Sequence, residues 1–222
     1  MTAVKFIIIA VISYLIGSLN FSILLSRKIG KKDIREMGSG NAGATNMFRS
    51  YGKKLGALTM LADILKAIVA IVIAMAIIGN DEVSQFPYII KSFAGFFCVI
   101  GHLYPVFFNF KGGKGVATCA GMILILDWRV FLIELAVFIL CLLIFKMVSL
   151  GSVVMAFLYP FLTYFLYHSN ANAVSGQDKE RIIVTIVAAL FGVIVIYKHK
   201  SNIVRICQNK ENKMDFAKIF KK

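Results

Sequence analysis

Residues 56–79 read GALTMLADILKAIVAIVIAMAIIG, an apolar run interrupted by two charges, Asp63 and Lys66. The hydrocarbon core of a bilayer is about 30 Å thick and needs roughly 20 apolar residues in a helix. This run is long enough to cross. Its two charges are spaced i, i+3 and so share one helical face. Pairing there lowers the cost of burying both and predicts structural support for a site. Working outward, apolar runs also occupy about 3–25, 88–109, 116–127, 130–147, 150–167 and 182–198. They predict an all-α integral membrane protein, a bundle of seven transmembrane helices, with residues 1–222 forming a single polytopic domain. The run 116–127 is short for a crossing, and six crossings with one re-entrant segment is the alternative.

The composition agrees. Hydrophobic residues make up 59% of the 222-residue chain and charged residues 16%, with a mean hydropathy of +0.80. A soluble domain carries roughly 45–50% apolar and about 25% charged residues. Lys5 is the single basic residue at the start of the first run and no cleavage site stands out, which predicts a retained span, not a removed signal peptide. The cysteines Cys98, Cys119, Cys141 and Cys207 have no CxxC spacing. Neither a disulfide framework nor a zinc site is indicated.

The net charge is +14. The basic residues gather in loops between apolar runs, a pattern that fits anionic headgroups or phosphate-bearing substrates and argues against nucleic acid. Segment 26–55 carries eight Lys/Arg against Asp33 and Glu36, and the tail from Lys198 carries eight against Glu211 and Asp215. The 80–87 loop has Asp81 and Glu82 with no basic residue, and the 168–181 loop is mixed. Seven spans put the first loop and the tail on one side. The positive-inside rule makes that side cytoplasmic and the N-terminus external. No inverted repeat of the kind seen in some transporters is evident.

Three polar segments fall on that side. The first is Gly38-Ser39-Gly40-Asn41-Ala42-Gly43-Ala44-Thr45-Asn46, followed by Arg49. It contains GxGxxG, but a dinucleotide site needs a βαβ unit that cannot form between two spans. Its glycines let backbone N–H groups converge on an anion, its Ser, Thr and Asn add donors, and Arg49 can fork onto phosphate. A flexible polar connector is the plain alternative.

The second runs from Gly101-His102 through Lys111-Gly112-Gly113-Lys114-Gly115 to Thr118. It is not a Walker A loop, because Gly115 follows Lys114 where Ser or Thr is required. Snorkelling would explain the lysines but not the three glycines, which weaken a helix end. Phosphate binding explains both. A continuous helix would put His102 roughly 13 Å deeper than Lys111; a non-helical segment around Pro105 would bring it much closer to the glycines.

The third is Lys198-His199-Lys200-Ser201-Asn202 through Arg205 and Glu211. In a helix, His199 and Asn202 share a face. The distal lysines Lys218, Lys221 and Lys222 read as a lipid-contacting tail. Ser149-Leu150-Gly151-Ser152 opens the sixth span, where helix N-terminal amides favour anions. His168 falls on the opposite side and is assigned no role.

Taken together, GSGNAGATNMFR, GHLYPVFFNFKGGKGVAT and HKSNIVRI…ENK resemble the bacterial acyl-phosphate:glycerol-3-phosphate acyltransferases, the PlsY family, end to end and in order. The resemblance implies transfer of a fatty acyl group from acyl phosphate to the sn-1 hydroxyl of glycerol 3-phosphate. The products would be 1-acyl-glycerol 3-phosphate (lysophosphatidate) and phosphate, in the first acylation of phospholipid synthesis. The expected catalytic residues are Ser39, Arg49, His102, Lys111, His199 and Asn202. The expected substrate-binding residues are Gly38, Gly40, Asn41, Gly43, Thr45, Asn46, Gly112, Gly113, Lys114, Gly115, Thr118, Ser149, Ser152 and Glu211. Where the family tail usually has a Gly before its Glu, this chain reads Asn209-Lys210-Glu211.

Both implied substrates carry phosphate, and the donor is a mixed anhydride with a good leaving group. Positioning and charge stabilisation are then the main catalytic needs. An HxxxxD base is excluded by spelling, since the residues five after His102, His168 and His199 are Phe107, Ala173 and Val204. The expected clamp for the glycerol 3-phosphate phosphate is Arg49, a KGGKG lysine, His199 and Ser149 or Ser152. Ser39, Thr45, Asn46 and loop amides would hold the acyl-phosphate head. The hydroxyl proton would go to a substrate phosphate oxygen, or to His102 as the second choice. No cofactor and no metal are expected, because no carboxylate cluster stands beside the loops. The chain is expected to act as a monomer in the bacterial cytoplasmic (inner) membrane, with its site facing the cytoplasm. The competing class is a transporter or channel for small organic phosphates; its need for polar residues on both faces is not met by the weakly charged outer loops.

Overall fold

The computed structural model describes residues 2–79, 86–167 and 177–214. Asp81, Glu82, His168 and the distal lysines Lys218, Lys221 and Lys222 lie outside the described residues. So does most of the 168–181 loop. The chain divides into two compact units, Met1–Leu126 and Asp127–Lys222.

The first unit comprises α1 (Thr2–Ser18), α2 (Phe21–Gly30), a 3-10 turn (Ile34–Glu36), α3 (Ala44–Tyr51), α4 (Lys53–Ile78), α5 (Pro87–Leu103), a second 3-10 turn (Val106–Phe108) and α6 (Val116–Leu126). The first apolar run is one long span, Ala3–Gly30, broken at Leu19–Asn20. The break is held from both sides. The buried Asn20 side chain accepts from the Ile23 amide and caps α2, while Lys66 Nζ donates to the Leu19 carbonyl at 3.1 Å. Backbone groups freed at membrane depth need such internal partners.

Glycines set the helix spacing. A Cβ on Gly17 would collide with the Cys98 backbone, and one on Gly101 with the Tyr14 carbonyl, so α1 and α5 pack backbone against backbone. Gly121 does the same for α6 against Ile64 of α4. Small residues at such crossings are the usual membrane solution, because close packing must replace a hydrophobic driving force that lipid does not supply.

The second unit comprises α7 (Trp128–Phe145), α8 (Val148–Leu166), α9 (Gln177–Lys198) and α10 (Lys200–Cys207). Asp127 caps α7 through the Arg129 amide, and Lys146 turns the chain toward α8 in a left-handed conformation. Gly151 faces Phe138 across the α7–α8 contact, and Gly192 fits against the Ala156 carbonyl across the α8–α9 contact. Large apolar side chains point outward, among them Leu61, Val72, Leu143, Ile144, Phe165 and Val193. That arrangement suits lipid, not water.

Among the described residues, six helices are long and apolar enough to cross a membrane: Ala3–Gly30, Lys53–Ile78, Pro87–Phe108, Trp128–Phe145, Val148–Leu166 and Lys179–Lys198. The expected seventh, run 116–127, forms the 11-residue α6. At 1.5 Å per residue that is about 16 Å, roughly half the hydrocarbon thickness. It is bounded by Gly115 at φ +85° before it and by the Asp127 cap of α7 after it.

Candidate active site

In the first unit, the two glycine-bearing segments are joined at one end of the helices. Beneath them lies a small apolar platform of Ile23, Ile34, Ala42, Met47 and Phe108, all buried. It draws on α2, both 3-10 turns, the first loop and α3, so the loops share one foundation.

The first loop is organised by Asn46. Its Nδ2 donates to the carbonyls of Ile34 (3.0 Å), Met37 (2.9 Å) and Asn41 (3.1 Å), and its Oδ1 accepts from the Ser39 amide at 2.9 Å. Gly38 and Gly40 sit at φ +56° and +71°. A Cβ on Gly38 would also strike Asn46 Oδ1, so both its conformation and its contact require glycine. Ser39, Gly40 and Arg49 are exposed, and Asn41, Gly43 and Thr45 half-buried, so this loop offers its polar groups outward while Asn46 is enclosed.

The second segment folds back as a non-helical stretch around Pro105 allows. Proline ends α5, Tyr14 Oη donates to the Tyr104 carbonyl, and the amides of Phe108 and Phe110 both donate to the Pro105 carbonyl. Asn109 and Phe110 follow at φ +56° and +57°. The chain then runs alongside the end of α5: the Gly112 amide donates to Leu103 O and the Gly113 amide to His102 O, each at 3.2 Å. Of the two arrangements open in the sequence, the non-helical one at Pro105 is present, and it brings the glycines into direct backbone contact with His102. A Cβ on Gly113 would overlap His102 Nε2 and the Ala42 carbonyl, so glycine is what lets histidine and both loops meet. Lys111 is exposed, Gly112 and Lys114 are half-buried, and Gly113 and Gly115 are buried. Thr118 is fully enclosed, its hydroxyl without a hydrogen-bond partner among the described residues.

Two groups that the motifs did not single out hold this arrangement. Asp33 accepts from Arg27 and Arg35. Arg35 reaches on from Nη1 to the carbonyls of Phe108 and Lys111, both at 3.0 Å. Burial pushes the Asp33 carboxyl up, but the Arg35 and Arg27 hydrogen bonds and the Arg35 charge outweigh it and hold the group at about 2. Asn20 is the other: its Nδ2 donates to the Ala42 carbonyl at 3.4 Å.

Behind His102 lies the Asp63–Lys66 pair, Nζ to Oδ1 2.7 Å, with both side chains buried. The pairing expected from spacing is present and extends to the histidine, since Lys66 Nζ lies 2.8 Å from His102 Nδ1.

The second unit holds its own polar cluster. Glu211 Oε1 accepts from Ser149 Oγ (3.0 Å) and Asn202 Nδ2 (2.8 Å), and Oε2 accepts from Arg205 Nε at 2.8 Å. Burial raises the Glu211 pKa, and these hydrogen bonds with the Arg205 charge more than reverse it. Ser152 Oγ donates to Val148 O one turn back. The helix expected to carry both His199 and Asn202 is interrupted at His199, which stands between α9 and α10. The two remain adjacent, with the Asn202 amide donating to the His199 carbonyl at 2.8 Å. His199 Nδ1 lies 2.8 Å from the Val195 carbonyl and must donate to it. The turn into Glu211 needs a left-handed residue, and Asn209 supplies it at φ +54°. Asn tolerates that region better than most residues, so this tail forms its turn without glycine at 209.

Glycine-bearing polar loops set on helices long and apolar enough to cross a bilayer define the class of an integral membrane protein. Comparison with known proteins makes the class specific. Residues 7–209 match the glycerol-3-phosphate acyltransferase family model. The chain is 38% identical over 221 residues to the glycerol-3-phosphate acyltransferase of Ureaplasma urealyticum, covering 90% of this chain and 87% of that protein. It is 38% identical over 214 residues to that of Clostridioides difficile, covering 95% and 96%. The crystal structure of PlsY (YgiH), an integral membrane glycerol 3-phosphate acyltransferase in its glycerol 3-phosphate form, matches with a TM-score of 0.79 at 31% identity, over 97% of this chain and 98% of that one. Its lysophosphatidic acid form matches with a TM-score of 0.77. The chain belongs to the glycerol-3-phosphate acyltransferase family of integral membrane proteins, the PlsY family.

Proposed function

We propose that this chain transfers a fatty acyl group from acyl phosphate to the sn-1 hydroxyl of glycerol 3-phosphate, the first acylation of phospholipid synthesis, at the cytoplasmic face of a bacterial inner membrane. The observation that carries the reading is the joining of the GSGNAG and KGGKG loops around His102, which concentrates amides, hydroxyls and cations suited to two phosphate-bearing substrates. The hydroxyl oxygen attacks the acyl carbon and a new ester C–O bond forms. The bond between that carbon and the bridging oxygen breaks, phosphate departs, and the hydroxyl proton ends on a phosphate oxygen.

Within the first unit, Ser39, Arg49, Lys111 and Lys114 are the proposed substrate contacts, with Gly38, Gly40, Asn41, Gly43, Thr45, Gly112, Gly113 and Gly115 shaping the loops. Asn46 and the enclosed Thr118 act by holding those loops. From the second unit, His199, Asn202, Ser149 and Ser152 are proposed to serve the same reaction, with Glu211 as their organiser. The proposed topology keeps the N-terminus external and the C-terminus cytoplasmic, which requires α6 to count as a seventh crossing. The chain is proposed to work as a monomer, with 1–222 as one catalytic domain.

Proteoliposomes carrying the purified protein separate this reading from transport. Acyl transfer predicts lysophosphatidate and phosphate without movement of glycerol 3-phosphate across the bilayer. Uptake of glycerol 3-phosphate with acyl phosphate left intact would favour the transporter.

A further inference from the structure

The geometry points to Lys66 as a positioning residue that fixes the tautomer of His102, so that the histidine presents an Nε2–H donor at the junction of the two glycine loops. The proposed acyl transfer is needed only for the catalytic consequence of this assignment; the tautomer itself stands apart from it. An ammonium has three donors and no lone pair, so at 2.8 Å the Lys66 Nζ donates and His102 Nδ1 accepts. The single ring proton is then on Nε2. A protonated ring would instead direct Nδ1–H to Asp63 Oδ1, which lies farther away at 3.4 Å, and would crowd two cations together.

Lys66 is itself held. It pairs with Asp63 at 2.7 Å and donates to Leu19 O at the break between α1 and α2, so its direction is set by one counter-ion and by acceptors at that break and on α5. Asp63 and Lys66 from α4 face the ring, and the buried Cys98 thiol on α5 lies near both of them. On the other side, Nε2 abuts the Gly113 backbone beside the Ala42 carbonyl. The donor therefore stands where the KGGKG and GSGNAG loops touch. Because Nδ1 is occupied by Lys66 and Nε2 carries the proton, His102 is a donor in this arrangement and not the acceptor of the substrate proton. His199 has the opposite pattern, since its Nδ1 donates to Val195 O.

Nitrogen-15 NMR of the imidazoles in the full chain, held in lipid nanodiscs, reads the tautomer directly, with His102→Gln assigning the signal. The expected result is an unprotonated, hydrogen-bonded Nδ1 and a protonated Nε2 for His102. A doubly protonated ring at neutral pH, or a proton on Nδ1, would overturn the assignment whether or not the protein turns over acyl phosphate. Because Lys66→Met alone leaves the Asp63 charge buried, the kinetic arm uses Asp63→Asn/Lys66→Met beside Asp63→Asn. The double variant should lose the fixed tautomer and lower kcat by about 10- to 100-fold with KM for glycerol 3-phosphate little changed. Lys66→Arg should keep the tautomer signature. Wild-type kcat and an unchanged His102 spectrum in the double variant would contradict the role.

Discussion

Arg35 and Lys111, 76 residues apart, are joined through one hydrogen bond, from the Arg35 guanidinium Nη1 to the Lys111 carbonyl at 3.0 Å. The same nitrogen reaches Phe108 O, and the rest of the guanidinium is fixed on Asp33. One planar cation thus ties the entrance of KGGKG to the segment that leads into GSGNAG. Arg35→Ala should destabilise the first unit by about 1.5–3 kcal/mol, the range for hydrogen bonds to charged groups. Arg35→Lys should rescue little, because a single ammonium cannot span Asp33 and two carbonyls as a fork does. Thermal unfolding in detergent measures this; a Lys variant as stable as the parent would refute it.

Acid should loosen the same tie. The Asp33 pKa is held at about 2, below its ordinary carboxylate value of 3.8. A carboxylate depressed in the folded state contributes stability that is present above its unfolded pKa and lost as pH falls through the folded one. The window therefore runs from about pH 4 down to about pH 2 and is worth about 2 kcal/mol. Glu211 is also depressed and adds loss of the same sign in the second unit. Melting temperature followed from pH 6 to pH 2 should fall more steeply for the parent than for Asp33→Asn, after that variant's lower starting stability is taken into account. Parallel curves would mean Asp33 does not titrate as described.

Two glycines of the loops should respond differently to the same methyl group. At Gly113 an added Cβ meets His102 Nε2 and the Ala42 carbonyl, and the carbonyl is backbone that cannot swing aside. At Gly43, whose φ of −153° suits any residue, the near neighbour is the Asn41 side-chain amide, which can rotate away. Gly113→Ala should abolish measurable turnover, whereas Gly43→Ala should retain most of it. Equal losses would show that the contact at His102 is not what demands glycine.

Glu211 should be valued for its charge and not its shape. Glu211→Gln keeps an acceptor for Ser149 and Asn202 but turns an amide donor toward Arg205 Nε, itself a donor. Losing a charge-assisted bond in a buried setting is worth about 1.5–3 kcal/mol. Melting of Glu211→Gln should drop accordingly, with Arg205→Ala/Glu211→Gln no worse than the single variant. Additive losses in that cycle would dissociate the two residues.

The sequence made the membrane class and the three polar segments legible because hydrophobic run length and loop charge are local properties. The Asp63–Lys66 pair was legible for the same reason, from its i, i+3 spacing. What lay beyond local reading was convergence. Pro105 signals a break, yet nothing near it says that Arg35 will grip the returning segment. Asn46 reads as a substrate donor by type, and only the fold shows its amide enclosed by three carbonyls. Asn20 lies inside the apolar run 3–25, and both its cap on α2 and its tie to Ala42 need tertiary structure to be seen. That the run 116–127 is short for a crossing is legible in the sequence, while the bounds of α6 depend on the backbone at Gly115 and Asp127.

Acyl transfer from acyl phosphate is decided by the balance of its two products. Purified protein in lipid nanodiscs is given synthetic acyl phosphate and glycerol 3-phosphate, and lysophosphatidate and inorganic phosphate are quantified together. The account predicts one lysophosphatidate for each phosphate released, dependent on glycerol 3-phosphate and lost in Arg49→Ala. Phosphate released without ester formation, or ester formed from another acyl donor while acyl phosphate is untouched, would contradict it.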